Sequence, residues 1–251
     1  MVVIIYSFGC GLRIKIQAQP VQVAGLPVNY NSLIQAMIYK NLSKSFRVFL
    51  HNHGFLLGNR PFKLFTFSKL FGKCKFNNKK IYFMDAVTLY VSSPVKRFLK
   101  DLVTSLMKRG TFLIGKNLFT IEKIELLPLP QFNSTHMIET LSPITMYSTL
   151  YTADQRKKTY YYSPFEREFE ELIGKNLRKK CKLVYHRTVE TPVKIKPLRV
   201  RERVIIFKKN VIKAWEGKFQ LTTGKLLFKT GYETGLGSKN SQGFGMFRVI
   251  G

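Results

Sequence analysis

The sequence predicts an α+β protein built from two consecutive βαββαβ units with antiparallel sheets, the second ending in a glycine-rich loop. The 251 residues are enough for two small hydrophobic cores. In the first half, segments with strand and helix periodicity follow one another in the order β, α, β, β, α, β. Prolines interrupt the pattern at LPLPQFN, residues 127–133, after which a similar order begins. We therefore predict two domains, residues 12–130 and 131–251.

The first unit opens on a strand at residues 12–20, LRIKIQAQP, where apolar and polar residues alternate. Asn29 or Asn31 can cap the helix that follows. Its apolar stripe consists of Ile34, Met37, Ile38 and Leu42. Two runs rich in aromatic and β-branched residues, KLFTFS at 63–68 and KIYFMDAVTLYV at 80–91, are typical of strands.

The second helix of this unit starts at Ser93 and Pro94, a cap followed by a first-turn proline, and stops at Gly110. Its stripe consists of Val95, Phe98, Leu99, Leu102, Val103 and Leu106. A last strand at residues 118–126 completes the ferredoxin-like order, in which both helices cover one face of an antiparallel sheet. The opposite face stays available for a ligand.

The second unit begins with a strand-like segment at residues 135–145. A helix from Pro164 follows, with acidic residues in its first turns and basic residues in its last, an order that suits the helix dipole. Its apolar stripe is Phe165, Phe169, Leu172, Ile173 and Leu177. Strands at 198–208 and 218–229, the glycine-rich loop and a closing strand at 245–250 complete the unit. The second helix of this half is short or missing.

The charge of the chain indicates a polyanionic partner. It has 42 Lys and Arg against 14 Asp and Glu, a net charge of +28. Such an excess repels itself unless the partner is a polyanion, and nucleic acid is the leading candidate. The charge is spread along the chain and no stretch reaches the roughly 18 apolar residues of a membrane helix, so we expect no membrane partner. Hydrophobic residues make up 45%, which excludes a disordered basic tail.

The three cysteines, Cys10, Cys74 and Cys181, lie far apart and form no C-x-x-C pair. Neither a zinc site nor a disulfide framework is indicated, and reduced thiols fit a cytoplasmic protein. The apolar opening, residues 1–10, lacks a basic n-region and is too short for a signal peptide. We expect an extra strand there, or a misassigned start.

The glycine-rich loop GLGSKNSQGFG, residues 235–245, could bind phosphate, because glycine lets backbone N–H groups approach an anion closely. It matches neither a Walker loop nor a dinucleotide fingerprint, and a flexible hairpin without a ligand is the alternative. The candidate RNA-binding residues of this loop are Gly235, Gly237, Lys239, Asn240, Ser241, Gln242, Gly243 and Gly245.

A pair of histidines, His51 and His53, follows the first helix in FLHNHGF. Histidine has an ordinary pKa of about 6.5 and can move protons in both directions at neutral pH. Metal-free RNA cleavage needs this, because the 2′-hydroxyl must lose a proton while the departing 5′-oxygen gains one. A metal pair and a purely phosphate-binding histidine are alternatives, but no carboxylate or cysteine cluster accompanies the pair, and we predict neither metal nor cofactor. We expect His136 and His186 to be structural or surface residues.

Two sets of basic residues could track a phosphate backbone. Arg199, Arg201 and Arg203 alternate along a predicted strand and so project from one face. The basic positions of the long helix, at i, i+3, i+4 and i+7, form one face suited to an RNA stem. They are Lys175, Arg178, Lys179 and Lys182. A solvated surface is the alternative for both sets.

These residues carry a resemblance to a known family. The segment GYETGLGSKNSQGFGMFRV resembles, in content and position, the C-terminal glycine-rich signature of the CRISPR-associated repeat-processing endoribonucleases, the Cas6 family of tandem ferredoxin-like proteins. NYNSLIQAMIY and FLHNHGF with PFKLFTFS are similar to the family's first helix and the strand after it, and TLSPI to the opening strand of its second domain. The resemblance covers most of residues 12–251.

The resemblance implies metal-independent cleavage within CRISPR repeat RNA by attack of the 2′-hydroxyl on the adjacent phosphate, leaving a 2′,3′-cyclic phosphate and a 5′-hydroxyl. Carried over by motif, Tyr39 matches a tyrosine at the end of the first helix, His51 the catalytic histidine, and Lys63 a lysine that opens the next strand. Some members use two nearby histidines, so the roles of His51 and His53 stay open, with His51 favoured. In the family, the strand that corresponds to LRIKIQAQP begins the protein, so the residues before Leu12 depart from the usual pattern.

The resemblance also implies partners and a location: CRISPR repeat RNA, other proteins of an interference complex, and the cytoplasm of a prokaryote. Dimers occur in the family, and nothing in the residues decides whether this chain forms one. The second hypothesis is a relative that binds the repeat without cutting it, against which the histidine pair argues. A structural RNA-binding protein, such as a ribosomal one, is the third.

Overall fold

The structure is a computed structural model and describes residues 13–151 and 154–250. The predicted first residue of the first strand, Leu12, and the apolar opening lie outside the described residues. The strands of the first half are β1 (Arg13–Pro20), β2 (Ala24–Pro27), β3 (Phe55–Leu57), β4 (Arg60–Phe62), β5 (Thr66–Phe67), β6 (Cys74–Asn77), β7 (Lys80–Phe83), β8 (Val87–Ser92), β9 (Thr111–Ile114) and β10 (Asn117–Leu127). The helices of this half are α1 (Asn31–Lys40), α2 (Lys44–Asn52) and α3 (Lys96–Arg109).

The main sheet of the first half has the order β5-β8-β1-β10-β9, with antiparallel neighbours. Apart from the edge strand β9, the order across the sheet is β5, β8, β1 and β10. These are the second, third, first and fourth strands of a βαββαβ unit, the order that its two crossovers require. The strand β1 alternates buried and half-buried residues, because one face packs on the helices. The predicted ferredoxin-like first domain is therefore confirmed.

The second half repeats this topology. Its strands are β11 (Thr135–Thr140), β12 (Tyr147–Tyr151), β13 (Lys157–Tyr161), β14 (Lys194–Phe207), β15 (Asn210–Thr222) and β16 (Phe247–Val249), and its helices are α4 (Arg167–Tyr185) and α5 (Lys225–Thr234). The sheet order is β14-β15-β11-β16, again second, third, first and fourth. Each half has its own large hydrophobic core, so the predicted tandem arrangement is confirmed.

Smaller sheets extend both domains. In the first domain, β2-β7-β6 and β3-β4 stand apart from the main sheet, and in the second β12-β13 forms a separate hairpin. The longest hairpin, β14-β15, is paired from Lys194↔Thr222 to Phe207↔Asn210. Its tip reaches the first domain, where the backbone N–H of Ile206 donates to Oδ1 of Asn29 at 3.0 Å.

Two predictions about strands were wrong. The run at 80–91 is two strands in different sheets, β7 and β8, separated at Met84–Ala86. The run at 218–229 is strand only to Thr222 and then becomes α5, so the second helix of this half is present and ten residues long. Its sequence, KLLFKTGYET, contains a glycine and two threonines, which weaken the helical signal.

The predicted helix caps were also wrong. The residues before α1 and α3 are Tyr30 and Val95, and neither helix start has a side-chain cap. Oγ of Ser93 instead accepts from the N–H of Val95 at 3.1 Å, one residue before the helix begins. Asn31 faces the second domain, where its amide donates to the carbonyl of Gln242 at 3.0 Å. These polar side chains are used for tertiary contacts.

The two domains are joined around one buried arginine. Arg13, at the start of β1, is 1% exposed and donates to the carbonyls of Phe247 and Tyr232, each at 2.7 Å. Its guanidinium lies 3.5 Å from the centroid of the Tyr232 ring. Burial lowers the pKa of Arg13 to about 10, so it stays charged at neutral pH. This side chain connects the first strand of one domain to the last helix and strand of the other.

We expect Arg13→Met to lower the free energy of unfolding by about 3 kcal/mol, because two buried carbonyls lose their donors. Urea denaturation at neutral pH measures this. The matched control is Arg109→Met, at an exposed position in the last turn of α3, which should change stability by no more than about 0.5 kcal/mol. Equal stability of the two variants would contradict the assigned role of Arg13.

Candidate active site

A cleft of about 660 Å³ lies between α1, α2, the tip of the β14-β15 hairpin and the glycine-rich segment. It brings together three of the four predicted catalytic residues: Tyr39, His51 and Lys63. The other polar residues that line it are Ser32, Gln35, Arg47, Asn52, Lys208, Asn210, Ser241 and Gln242. Because no lining residue is acidic, the cleft is suited to an anionic ligand.

His51 lies in the last turn of α2 and faces the cleft. Its Nδ1 is 2.8 Å from Oδ1 of Asn52. A carboxamide oxygen is only an acceptor, so Nδ1 carries the proton of this bond and Nε2 of the neutral ring keeps its lone pair. The hydrogen bond therefore sets the tautomer that a proton acceptor at Nε2 needs.

Lys63 is fixed against the end of the same helix. Its ammonium donates to the carbonyls of Leu50 and His51, the second at 3.2 Å. These carbonyls form the negative end of the helix dipole, which favours a cation. Burial lowers the pKa of Lys63. The approach needs glycine at position 54, where φ is +73° and a Cβ would lie 2.7 Å from the carbonyl oxygen of Phe62.

Tyr39 lies near the end of α1, with its ring edge against Phe65 at a centroid distance of 5.9 Å. Burial raises the pKa of Tyr39 to about 12. The phenol is therefore protonated at neutral pH and acts as a hydrogen-bond donor. A protonated phenol cannot accept the proton of the 2′-hydroxyl, so the structure argues against Tyr39 as the base that activates it.

The second histidine of the pair, His53, is in a different position. It is the exposed residue that ends α2, and it does not line the cleft. His51 and His53 are two residues apart, a spacing that would put both rings on one face of a strand. The chain is instead helical up to Asn52 and turns at Gly54, so the two rings do not share a face. The geometry thus favours His51 over His53 as the catalytic histidine.

The glycine-rich segment is packed inside the protein. Gly235, Gly237, Gly243 and Gly245 are buried and adopt positive φ, and Asn240 is buried between them. A Cβ on Gly243 would lie 2.5 Å from the ring of Phe67, so the backbone here is covered by the first domain. Of the eight residues predicted to bind RNA in this loop, the half-buried ones that line cavities are Lys239, Ser241 and Gln242.

The predicted arginine row is partly neutralised. Arg201 and Arg203 both bond Glu216 on the neighbouring strand, at 2.5 and 2.7 Å, and Lys69 of the first domain bonds it at 2.7 Å. Burial alone would raise the pKa of Glu216, but Lys69, Arg203 and Arg201 outweigh it and lower the pKa from 4.5 to about 2. Arg199 lines a separate groove of about 650 Å³ between the two sheets.

The basic face of α4 divides in a similar way. Lys175 and Lys179 are exposed and line a cavity of about 450 Å³ beside the β12-β13 hairpin. Lys182 is exposed, whereas Arg178 donates to the carbonyl of Thr191 at 3.0 Å and so supports the fold. His136 is 3% exposed and stacks on Phe228, as expected for a structural histidine.

Residues that the pattern analysis missed complete the site. Arg47 in α2 and Lys208 at the tip of the β14-β15 hairpin both add positive charge to the cleft. They are far apart in the sequence, so no local pattern connects them. Lys180 is buried under the glycine-rich segment, where its ammonium donates to the carbonyls of Gly235 and Gly237 at 2.8 and 3.1 Å. Burial lowers the pKa of Lys180 to about 7.

Within residues 13–151 and 154–250, no three His, Cys, Asp or Glu side chains come together in a way that could hold a metal ion. No helix in the same part of the chain has the length and apolar character needed to cross a membrane.

The tandem ferredoxin-like domains, the interdomain glycine-rich segment and a basic cleft that holds a histidine define the class: a two-domain tandem ferredoxin-like protein with a cleft suited to an anionic ligand. A family model described as CRISPR associated protein Cas6, C-terminal, matches residues 127–249, and one described as CRISPR-associated protein Cas6, N-terminal, matches residues 25–125. The chain belongs to the Cas6 family of CRISPR-associated proteins, and the resemblance found in the sequence is confirmed.

Individual relatives agree with this assignment over nearly the whole chain. The chain is 30% identical over 242 residues to the CRISPR-associated endoribonuclease Cas6 1 of Methanocaldococcus jannaschii, covering 94% of this chain and 91% of that protein. It is 27% identical over 248 residues to an endoribonuclease-like Cas6 protein of Pyrococcus furiosus, covering 95% and 99%. A solved structure described as CRISPR associated protein Cas6 superposes with a TM-score of 0.80 at 28% identity, covering 95% and 99%.

The ion pairs of Glu216 make stability depend on pH. Folding lowers the pKa of Glu216 to about 2. The stabilisation of the folded state by these ion pairs is therefore complete above about pH 4.5 and is lost as the pH falls towards 2. We expect Glu216→Gln to lose at most about 3 kcal/mol at pH 7 and to flatten the decline in stability between about pH 5 and pH 2.

Urea denaturation across this pH range measures the effect, with Glu122→Gln, at an exposed position, as the control. A Glu216→Gln variant whose stability falls with acid as steeply as that of the control would contradict the assignment.

Proposed function

We propose that this protein processes CRISPR precursor RNA by cutting within the repeat, without a metal ion. In the reaction, the 2′-oxygen forms a bond to the adjacent phosphorus while the bond from phosphorus to the 5′-oxygen breaks. The products are a 2′,3′-cyclic phosphate and a 5′-hydroxyl. The observation that carries the proposal is the cleft that brings Tyr39, His51 and Lys63 together in a protein of the Cas6 family.

The geometry supports a role for each side chain. Nε2 of His51 has the free lone pair that can take the proton of the 2′-hydroxyl. The phenol of Tyr39, kept protonated by burial, donates a hydrogen bond to the departing 5′-oxygen or to a phosphate oxygen. Water supplies the proton with which the 5′-oxygen leaves as a hydroxyl. The ammonium of Lys63, fixed at the end of α2, faces the charge that develops on the phosphorane-like transition state. Preorganised donors of this kind have most effect where charge develops.

The surrounding surface supports RNA binding. Lys239, Ser241 and Gln242 of the glycine-rich segment and Lys175 and Lys179 of α4 line cavities on the side of the cleft. Arg199 lines the groove between the sheets on another face. We assign RNA contact to these exposed or half-buried residues, whereas the buried glycines shape the segment. We further propose that the protein acts on repeat transcripts in the cytoplasm, with other CRISPR-associated proteins as partners of the product.

Incubation of the purified protein with repeat RNA in excess EDTA tests the reaction. We expect cleavage of the all-ribose repeat and none of the same RNA with one 2′-deoxynucleotide at the cut site, because the nucleophile is then missing. Gel electrophoresis of the products measures both.

Cleavage only after Mg²⁺ is added would contradict a metal-independent mechanism. Tight binding of both RNAs with no cleavage of either would instead favour the second function, a repeat-binding subunit that does not cut. The endoribonuclease-like name of one relative makes this outcome worth testing.

The two histidines give a matched pair of variants. We expect His51→Ala to lower the single-turnover rate by about 10²- to 10⁴-fold, since general acid–base catalysis is lost. We expect His53→Ala to cleave within a few-fold of the original protein, because its exposed ring does not line the cleft. Repeat affinity should stay within a few-fold for both. A large rate loss in His53→Ala alone would reverse the assignment.

A further inference from the structure

A second cavity of about 360 Å³ adjoins the active-site cleft on the side of the glycine-rich segment. The two cavities share Lys63, Ser241 and Gln242 as lining residues. A strand of RNA that passes the scissile position can therefore continue into the second cavity without leaving the protein surface. The catalytic roles assigned above make no use of this cavity.

The second cavity carries positive charge that the protein does not neutralise. Arg60 and Lys239 line it, and none of its lining residues is acidic. In the described part of the chain, no carboxylate forms an ion pair with either side chain. The ammonium of Lys180 lies in the wall and is fully used by protein acceptors, including Oδ1 of Asn240 at 2.6 Å. Arg60 and Lys239 thus remain available to an anion.

The same cavity has a tyrosine ring and an unused amide. The ammonium of Lys239 lies 4.7 Å from the centroid of the Tyr147 ring, which keeps the cation and the ring together. Asn176 is 5% exposed, and its Oδ1 is buried without a hydrogen-bond partner among the described residues. A buried amide oxygen left unpaired costs about 1–3 kcal/mol. A ligand in this cavity that donates a hydrogen bond to the amide oxygen would remove this cost.

The second cavity borders a third one. Arg60, Tyr147 and Asn176 also line the third cavity of about 450 Å³, which continues between α4 and the β12-β13 hairpin. Lys175 and Lys179 line its far wall. A row of three neighbouring cavities that share lining residues, with cations along its length, fits a linear polyanion, whereas a small anion would need only one of them.

We propose that the RNA strand leaves the active-site cleft through the second cavity, where one nucleotide beside the cut phosphate is bound. Its phosphate contacts Arg60 and Lys239, and its base lies beside Tyr147 and pairs with the amide of Asn176. The strand then continues towards Lys175 and Lys179. This inference rests on the proposed function and adds a nucleotide subsite that contributes to affinity and to the choice of cleavage position.

Asn176→Leu separates a binding role from a structural one. Because the amide oxygen has no partner among residues 13–151 and 154–250, we expect the variant to unfold at the same temperature as the original protein or a higher one. We expect it to bind the 2′-deoxy repeat, which cannot be cut, about tenfold more weakly. Thermal unfolding and fluorescence anisotropy measure the two. A lower unfolding temperature with unchanged affinity would overturn the proposal.

The phosphate contact is tested by Arg60→Ala combined with single methylphosphonate substitutions, which remove the charge of one phosphate at a time. We expect Arg60→Ala to weaken binding about five- to tenfold. When the methylphosphonate replaces the phosphate that Arg60 contacts, within about three nucleotides of the cut site, Arg60→Ala should cause no further loss of affinity. With the methylphosphonate at any other position, the loss caused by Arg60→Ala should persist. The control is Lys116→Ala, at an exposed position that lines none of the three cavities.

Cleavage of the unmodified repeat by the original protein is measured in parallel. If the original protein cuts and the Arg60→Ala penalty is the same at every phosphate, the subsite is wrong and the proposed function stands. If the original protein does not cut but the penalty disappears at one phosphate, the subsite stands as part of a repeat-binding protein.

Discussion

The segment between α5 and β16 passes between the two domains, and this constraint determines much of the structure. Its backbone runs so close to its neighbours that a Cβ on Gly245 would collide with the carbonyl of Leu236, and one on Gly237 would lie 2.5 Å from the carbonyl oxygen of Thr145. The buried ammonium of Lys180 and the amide of Asn240 satisfy the carbonyls that the segment turns inward. Buried carbonyls without donors destabilise a protein, so the hydrogen bonds from these two side chains offset the free-energy cost of the close packing.

The position of this segment determines the shape of the active-site cleft. Its carbonyls accept hydrogen bonds from two side chains of α1: Gln35 donates to Ser241 at 2.6 Å, and Asn31 donates to Gln242 at 3.0 Å. The helix that carries Tyr39 is thereby held to the second domain, while the hairpin tip closes the opposite wall through Asn29. The cleft is complete only when the domains are docked, so we expect the contacts of Arg13 to affect the proposed catalysis as well as stability.

Periodicity predicted those elements whose packing is decided by one face. The strand β1 and the helix α3 were found because their apolar residues recur at the spacing of the element. Helix α5 was missed because it is buried on nearly all sides and contains Gly231, which packs against Leu236 and Leu177 and leaves no polar face to reveal the period. Lys180 could have been found: it lies seven residues after Ile173 and three after Leu177, on the apolar side of α4, where a solvated lysine is not expected.

The proposed catalytic residues could be named from motifs, but their separate roles could be assigned only from the structure. Nothing in FLHNHGF distinguishes His51 from His53, since both lie near a helix end in a basic region. The difference arises because Lys63, brought in from the following strands, bonds the carbonyls of Leu50 and His51 and fixes the last turn of α2. One lysine therefore holds the histidine in the cleft and places a partly desolvated cation beside it. Because Lys63 and His51 are both fixed before RNA binds, little reorganisation remains when charge develops on the phosphate.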